Sequence, residues 1–236
     1  MGCLWIVKLG STFPELAARQ GDFEDWVKNR LGSDELDVRT CTPGNLPHGL
    51  TERDGVVLTG SHSMVTDREP WSQATGGWLR QAVEAGVWTL GICYGHQLLA
   101  DVFGGKVGPN PNGREFGTMR LKLSPTCRND ALFSSFETPP MVQTCHAQAV
   151  LEPPADAVVL ATTPRDPFHA LRLGERAWGV QFHPEFDERA LAFYVEVFRE
   201  KLIEEGQDVE GVLAALTPTP QSERLLRRFA QLVACA

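Results

Sequence analysis

The sequence predicts an α/β fold: a mostly parallel central sheet with helices on both faces, followed by a β-rich extension and C-terminal helices. Three observations carry that expectation. In the first half, short apolar runs alternate with longer stretches of helical spacing, which implies right-handed crossovers between parallel strands. Residues 55–59 and 87–92 are bare apolar runs without alternation, as expected of strands covered on both faces. Between residues 117 and 181 the helical spacing disappears and short β-like runs take over.

In chain order, residues 4–9 read as the first strand, and 14–31 as a helix through Leu16, Ala17, Phe23 and Val27. Residues 36–40 read as a second strand and 55–59 as a third. A helix over 71–85 offers Trp71, Trp78, Leu79 and Val83 to one side. A strand over 87–92 and a helix over 94–103 follow. Strands are then expected at 119–123, 141–144, 158–162, 168–173 and 177–182, in an antiparallel or mixed extension returning to the main sheet. Helices over 188–204, 209–216 and 221–233 close the chain. The Thr-Pro-Thr-Pro stretch, 217–220, breaks the helices locally and is no linker. The whole chain, 1–236, reads as one domain, with 187–236 its C-terminal helices.

Bulk properties exclude several functions. With 42% hydrophobic residues the chain has ample material for a core, and a net charge of −8 argues against a broad basic surface for nucleic acid. Arg224, Arg227 and Arg228 fall on an amphipathic C-terminal helix and read as its solvated face. The six cysteines, Cys3, Cys41, Cys93, Cys127, Cys145 and Cys235, form no Cys-x-x-Cys pair, which suggests neither zinc nor disulfides and favours a reducing compartment. The N-terminal apolar run is interrupted by Lys8 and lacks a basic flank, so it reads as a strand and not a signal peptide. Ile6 stands where a myristoylation motif wants Ser or Thr. No apolar run approaches the ~20 residues of a membrane span. The expected setting is the cytoplasm, with no cofactor. No local spacing groups His62, His96, His146 and His183, so no metal is expected.

Residues 91–100, Gly-Ile-Cys-Tyr-Gly-His-Gln-Leu-Leu-Ala, hold Cys93 between two glycines at a strand-to-helix junction. That is the pattern of a nucleophile elbow, whose sharp turn lifts a side chain above the carboxyl edge of a parallel sheet. The unpaired N–H groups and positive dipole end of the helix favour a thiolate, and can donate to an oxyanion. From this segment alone a buried structural cysteine remains an alternative. A thiol nucleophile needs a base, and His183 stands in Trp-Gly-Val-Gln-Phe-His-Pro-Glu-Phe, residues 178–186. Glu185, two residues on, can accept from the imidazole and stabilise its charged form. Among the other histidines, His48 reads as a surface residue, His169 as satisfied core, His96 as packing or capping, and His62 as a residue of the site's mouth. Phe116 and the Gly-Arg-Glu-Phe-Gly stretch, 113–117, are candidates for a pocket wall.

Three segments in order, Val-Val-Leu-Thr-Gly-Ser-His-Ser-Met-Val (56–65), Gly-Ile-Cys-Tyr-Gly-His-Gln-Leu-Leu-Ala (91–100) and Gly-Val-Gln-Phe-His-Pro-Glu (179–185), closely resemble class I, triad-type glutamine amidotransferases. The likeness is strongest to free-standing proteins similar to the amidotransferase domain of GMP synthetase. The resemblance implies that Cys93 attacks the glutamine side-chain amide, that His183 acts as base and then acid, and that Glu185 orients it. It implies an oxyanion hole from backbone N–H groups at Gly60, Ser61 and Tyr94, and substrate contacts from Gln97 and the segment Cys145, His146, Ala147 and Gln148. The chain departs from the family pattern at Gly60-Ser61-His62, where Gly-Gly-Pro or Asn-Gly-Pro is usual, and at Gln148, where an acidic residue is frequent two positions after the histidine of that loop. It also contains no Gly-x-x-x-x-Gly-Lys-Ser/Thr phosphate loop. The implied activity is ammonia release from L-glutamine, with the ammonia passed to a partner synthetase. A γ-glutamyl hydrolase or peptidase, or a catalytically silent regulatory module, are the alternatives.

Overall fold

The computed structural model describes residues 2–32 and 36–236; Met1, at the head of the N-terminal run, lies outside them. An eight-stranded sheet has the order β2-β1-β3-β4-β12-β11-β10-β7. Here β1 is Cys3–Val7, β2 Asp37–Cys41, β3 Gly55–Leu58, β4 Trp88–Ile92, β7 Lys122–Leu123, β10 Val158–Thr162, β11 Ala170–Leu173 and β12 Ala177–Val180. The strands β2, β1, β3, β4 and β12 run parallel, while β11, β10 and β7 continue the sheet antiparallel. The bare apolar runs indeed lie inside: every residue of β3 is buried, and all of β4 but the half-buried Trp88, whereas β2, at the edge, is largely open.

Strand alternation sorts the core into two layers. Leu4, Ile6, Val57, Leu90 and Ile92 face one side, under Val27 and Leu31 of α2 (Phe23–Leu31) and Leu225, Leu226 and Phe229 of α8 (Pro220–Ala234). Val7, Val56 and Leu58 face the other, under Leu79 of α3 (Pro70–Glu84) and Leu98 and Leu99 of α4 (Tyr94–Val102). On α8, Arg224 and Arg227 are exposed and Arg228 half-buried, so the arginine trio is the solvated face. Among the described residues no helix is long and apolar enough to cross a membrane.

The structure corrects the sequence reading in three places. The helix expected over 14–31 is two, α1 (Pro14–Gln20) and α2, because Gly21 turns the chain at φ 84° and Asp22 caps α2 in a reciprocal box with Asp25. The helix expected over 188–204 is also two, α5 (Glu188–Val197) and α6 (Arg199–Glu204), meeting at Phe198; α7 (Val209–Ala214) follows. The β-rich half rejoins the main sheet only in part. Two antiparallel ribbons stand apart from it: β5 (Lys106–Pro109) with β9 (Gln148–Glu152), and β6 (Glu115–Arg120) with β8 (Met141–His146). A third apolar cluster, with Phe23, Phe116, Phe186, Leu191 and Tyr194, joins α1, α2, α5 and α7 to the β6 ribbon.

Candidate active site

Cys93 directly follows β4 and stands at the N-cap of α4 at φ 49°, ψ −98°, a positive-φ conformation that a non-glycine residue adopts only under constraint. Its flanking glycines supply that constraint. A Cβ on Gly91 would stand 2.4 Å from the Gly95 carbonyl oxygen, and one on Gly95 would stand 2.7 Å from that of Leu58. Both residues are therefore glycine because the helix presses against β4 and β3. The Tyr94 N–H, first in α4, has no intrahelical acceptor by position.

His183 follows β12, the parallel neighbour of β4, so sheet order alone sets it beside the elbow. Two contacts fix it there: its backbone N–H donates to the Gln143 carbonyl of β8 at 2.8 Å, and ring Nδ1 lies 2.7 Å from Glu185 Oε1. The ring stacks on Phe186 at 4.1 Å between centroids. On the other side is Gly60, where a Cβ would come within 3.2 Å of His183 Cε1 and 3.9 Å of Cys93 Cβ. His183 and Cys93 thus converge on the Gly60 backbone. Burial alone would push the His183 imidazole down, but the Glu185 carboxylate and Cys93 outweigh it and raise it to about 10.

The loop after β3 is held from below. A Cβ on Gly10 would meet Ser61 Oγ at 2.7 Å, so the β1–α1 turn packs directly on Ser61, whose hydroxyl accepts from the Ser63 N–H. His62 Nε2 lies 2.9 Å from the Tyr194 hydroxyl, and Phe13 packs on its ring. The loop that departs from the family pattern is therefore braced within this chain.

A cavity of about 280 Å³ opens over Cys93. Ser61, His62, Cys93, Tyr94, Gln97, Cys145, His146, Ala147, Gln148 and His183 line it, with Arg114 and Phe116. Of the sequence-predicted residues, Gly60 lies beside Cys93 and His183, and Glu185 stands behind His183. Gln97 donates its side-chain N–H groups to the Gln148 carbonyl (2.8 Å) and to Gln181 Oε1 (2.9 Å). Gln148 donates its own amide to Thr66 Oγ1. The Cys145 carbonyl lies 4.0 Å from Cys93 Sγ. Burial drives the Cys145 thiol well above its ordinary value and those of Cys41 and Cys127 to about 11, so these cysteines are poor nucleophiles.

His48 is exposed, as read from its loop. His96 packs and does not cap: it lies against Gly179, where a Cβ would be 2.4 Å from Nδ1, and burial lowers its imidazole to about 4. Sequence reasoning missed a buried group behind the cavity. Glu115, opposite His146 in the β6–β8 register, meets His146, His169 and Thr163, and Asp166 joins them through His169. One donor atom each from Glu115, His146 and His169 lie within 4.8 Å of one another. No local spacing reveals this cluster, since only the ribbon register and the 163–169 turn assemble it. Of the Gly-Arg-Glu-Phe-Gly stretch, Arg114 and Phe116 do wall the cavity, whereas Glu115 faces away from it into this cluster.

A strained cysteine beside a carboxylate-backed imidazole, at the carboxyl edge of a parallel sheet, is an arrangement with the geometry that thiol-dependent acyl transfer requires. The family description "Glutamine amidotransferase class-I" matches residues 29–200, and the chain belongs to that family. It is 39% identical over 181 residues to a GMP synthase (glutamine-hydrolysing) of Aeropyrum pernix, a match covering 76% of this chain and 32% of that one. It is 35% identical over 184 residues to the enzyme so named of Vibrio parahaemolyticus, with the same coverage. The chain thus spans about a third of the length of these curated relatives. Among solved structures, a glutamine amidotransferase of Thermotoga maritima superposes with a TM-score of 0.76 at 20% identity, covering all of both chains. A glutamine amidotransferase of Methylobacillus flagellatus gives 0.66 at 21%, covering 100% of this chain and 93% of that one. Those two share the fold.

Proposed function

We propose that this chain hydrolyses the side-chain amide of L-glutamine through a Cys93 thioester, releasing ammonia for a synthetase site outside residues 1–236. The observation that carries the reading is the convergence of strained Cys93 and Glu185-backed His183 on the Gly60 backbone. Cys93 Sγ, its proton on His183, attacks the amide carbon. The N–H groups of Tyr94 and of Gly60 or Ser61 receive the developing oxyanion. His183 donates its proton to the departing nitrogen and ammonia leaves. Water then attacks the thioester, His183 takes its proton, and glutamate departs with the thiol restored. Gln97 and the 145–148 segment form the wall that holds the rest of the substrate.

The cavity, at about 280 Å³, falls just below the ~300–1,000 Å³ of drug-sized ligand sites, which suits a free amino acid better than a γ-glutamyl peptide. GMP synthase relatives supply the class of acceptor chemistry, and a reducing cytoplasm suits a free nucleophilic thiol. The deciding experiment is glutamate release from L-glutamine by purified protein, with Cys93→Ala as control. Release that the substitution abolishes is the expected result. No release from folded protein, with cleavage of γ-glutamyl peptides instead, would overturn glutamine as substrate. Failure of both substrates, with no selective Cys93 labelling by a γ-glutamyl affinity reagent, would leave a silent binding module.

A further inference from the structure

We infer that Glu115 and His146 are positioning residues for the substrate wall: a buried, proton-bridged pair that fixes the Gln148 carbonyl and, through it, Gln97. The inference rests on the reading of the cavity as a glutamine site. Both residues are buried, and the β6–β8 register sets them directly opposite one another.

A proton count on His146 comes from its neighbours. Nδ1 lies 2.9 Å from the Gln148 carbonyl oxygen, which can only accept, so Nδ1 carries a hydrogen. Nε2 lies 3.1 Å from Glu115 Oε2. A bare ring nitrogen would repel a carboxylate at that distance, so a second proton lies between them. Burial opposes charge on Glu115, yet the His146 hydrogen bond and nearby His169 hold its carboxyl below the usual range. Thr163 Oγ1 donates to the same carboxylate oxygen at 3.0 Å, and His169 Nδ1 is satisfied by Asp166 Oδ2 at 3.1 Å. Protons therefore account for the contacts of Glu115, of His146 and of His169 Nδ1, while His169 Nε2 is buried without a hydrogen-bond partner among the described residues.

The Gln148 carbonyl that accepts from His146 also accepts from Gln97 Nε2, one helical turn beyond Cys93. The second Gln97 N–H reaches Gln181, two residues before His183. The chain Glu115–His146–Gln148–Gln97 thus runs from the ribbon behind the cavity to its substrate-facing wall, and touches neither Cys93 Sγ nor the His183 ring. Its loss should weaken glutamine binding while sparing the thiol.

The test compares His146→Leu with its near-isostere His146→Asn, whose amide can restore the donor to the Gln148 carbonyl, and with Glu115→Gln. Steady-state kinetics with L-glutamine are read beside the rate of Cys93 alkylation by iodoacetamide. The expected result is a KM about tenfold higher in His146→Leu, in line with a lost buried hydrogen bond. His146→Asn should recover part of that loss, and alkylation should stay within about twofold in all three. Thr163→Val, which removes only the peripheral donor to Glu115, should raise KM about two- to threefold, and it serves if the others do not fold. An unchanged KM in folded variants, or loss confined to kcat with slowed alkylation, would overturn the inference. So would one equivalent of zinc in the purified protein whose removal by a chelator raises KM, since a metal would then do what the protons are assigned. If wild type releases no glutamate, it is the proposed function that fails, which separates the two outcomes.

Discussion

At the scale of single residues, the site is a set of close approaches that other side chains could not make. Cys93 pays in backbone strain for its place at φ 49°, and Gly60, Gly91 and Gly95 leave room for it. The His183–Glu185 pair, 2.7 Å apart, makes the clearest pH prediction. His183 is raised from 6.5 to about 10, so its contribution to stability is complete below about pH 6.5 and is lost as the pH rises through about 10. In the proposed reaction the same proton passes to the departing ammonia. Wild-type kcat/KM for glutamine should therefore hold on the alkaline side to beyond pH 9. Glu185→Gln removes the carboxylate that raises the imidazole, and should lower kcat at least a hundredfold and draw the alkaline limb toward neutrality. An unchanged limb in a pH–rate profile would mean that Glu185 only packs.

At the scale of elements, the sequence was most readable where burial is complete. The wholly buried β3 and the β4–elbow–α4 junction announce themselves in unbroken apolar runs and paired glycines. The break between α1 and α2 did not, because apolar spacing continues across it and only the Gly21 turn and the Asp22 cap separate the helices. Strands β5 and β9 escaped notice for a different reason. Lys-Val-Gly-Pro has too little apolar material to announce a strand, and pairing across some forty residues is invisible to local pattern. The same holds for the site: Cys93, His183 and Glu185 sit in local motifs, whereas the Glu115 cluster exists only through register and the turn between β10 and β11. That turn offers its own test. Burial opposes charge on Asp166, but the His169 hydrogen bond and neighbouring His146 depress it from 3.8 to about 2. Its stabilisation is complete above about pH 4 and is lost as the pH falls through about 2. Asp166→Asn should thus lower the urea midpoint at pH 7, and the gap from wild type should narrow toward pH 2. A gap constant with pH would show that the turn, not the charge, carries the effect.

At the scale of the whole molecule, the site gathers at one edge of the sheet while a large part of the stability comes from layers beneath it. Helix α8 joins the chain's end to the sheet's first strands: Leu225, Leu226, Phe229 and Val233 are buried in the layer that contains Leu4, Ile6 and Val57. A Cβ on Gly55 of β3 would stand 2.6 Å from Val233, which shows how closely the helix lies on the strands. The C-terminal helices and the motif-bearing segment 56–185 should therefore fold as one unit. Phe229, fully buried and edge-on to Trp178, tests that expectation. Phe229→Ala removes a large buried ring and should cost about 3–5 kcal/mol, which for a chain of this size lowers Tm by roughly 10 °C. Because Phe229 lines no part of the cavity, the folded fraction at low temperature should keep wild-type KM for glutamine and wild-type Cys93 alkylation. Calorimetry beside kinetics decides the matter. If Tm barely moves, α8 is an appendage to an independently stable sheet. If KM rises along with the fall in Tm, the lower layer reaches the site, and stability and catalysis are coupled through β4 and β12.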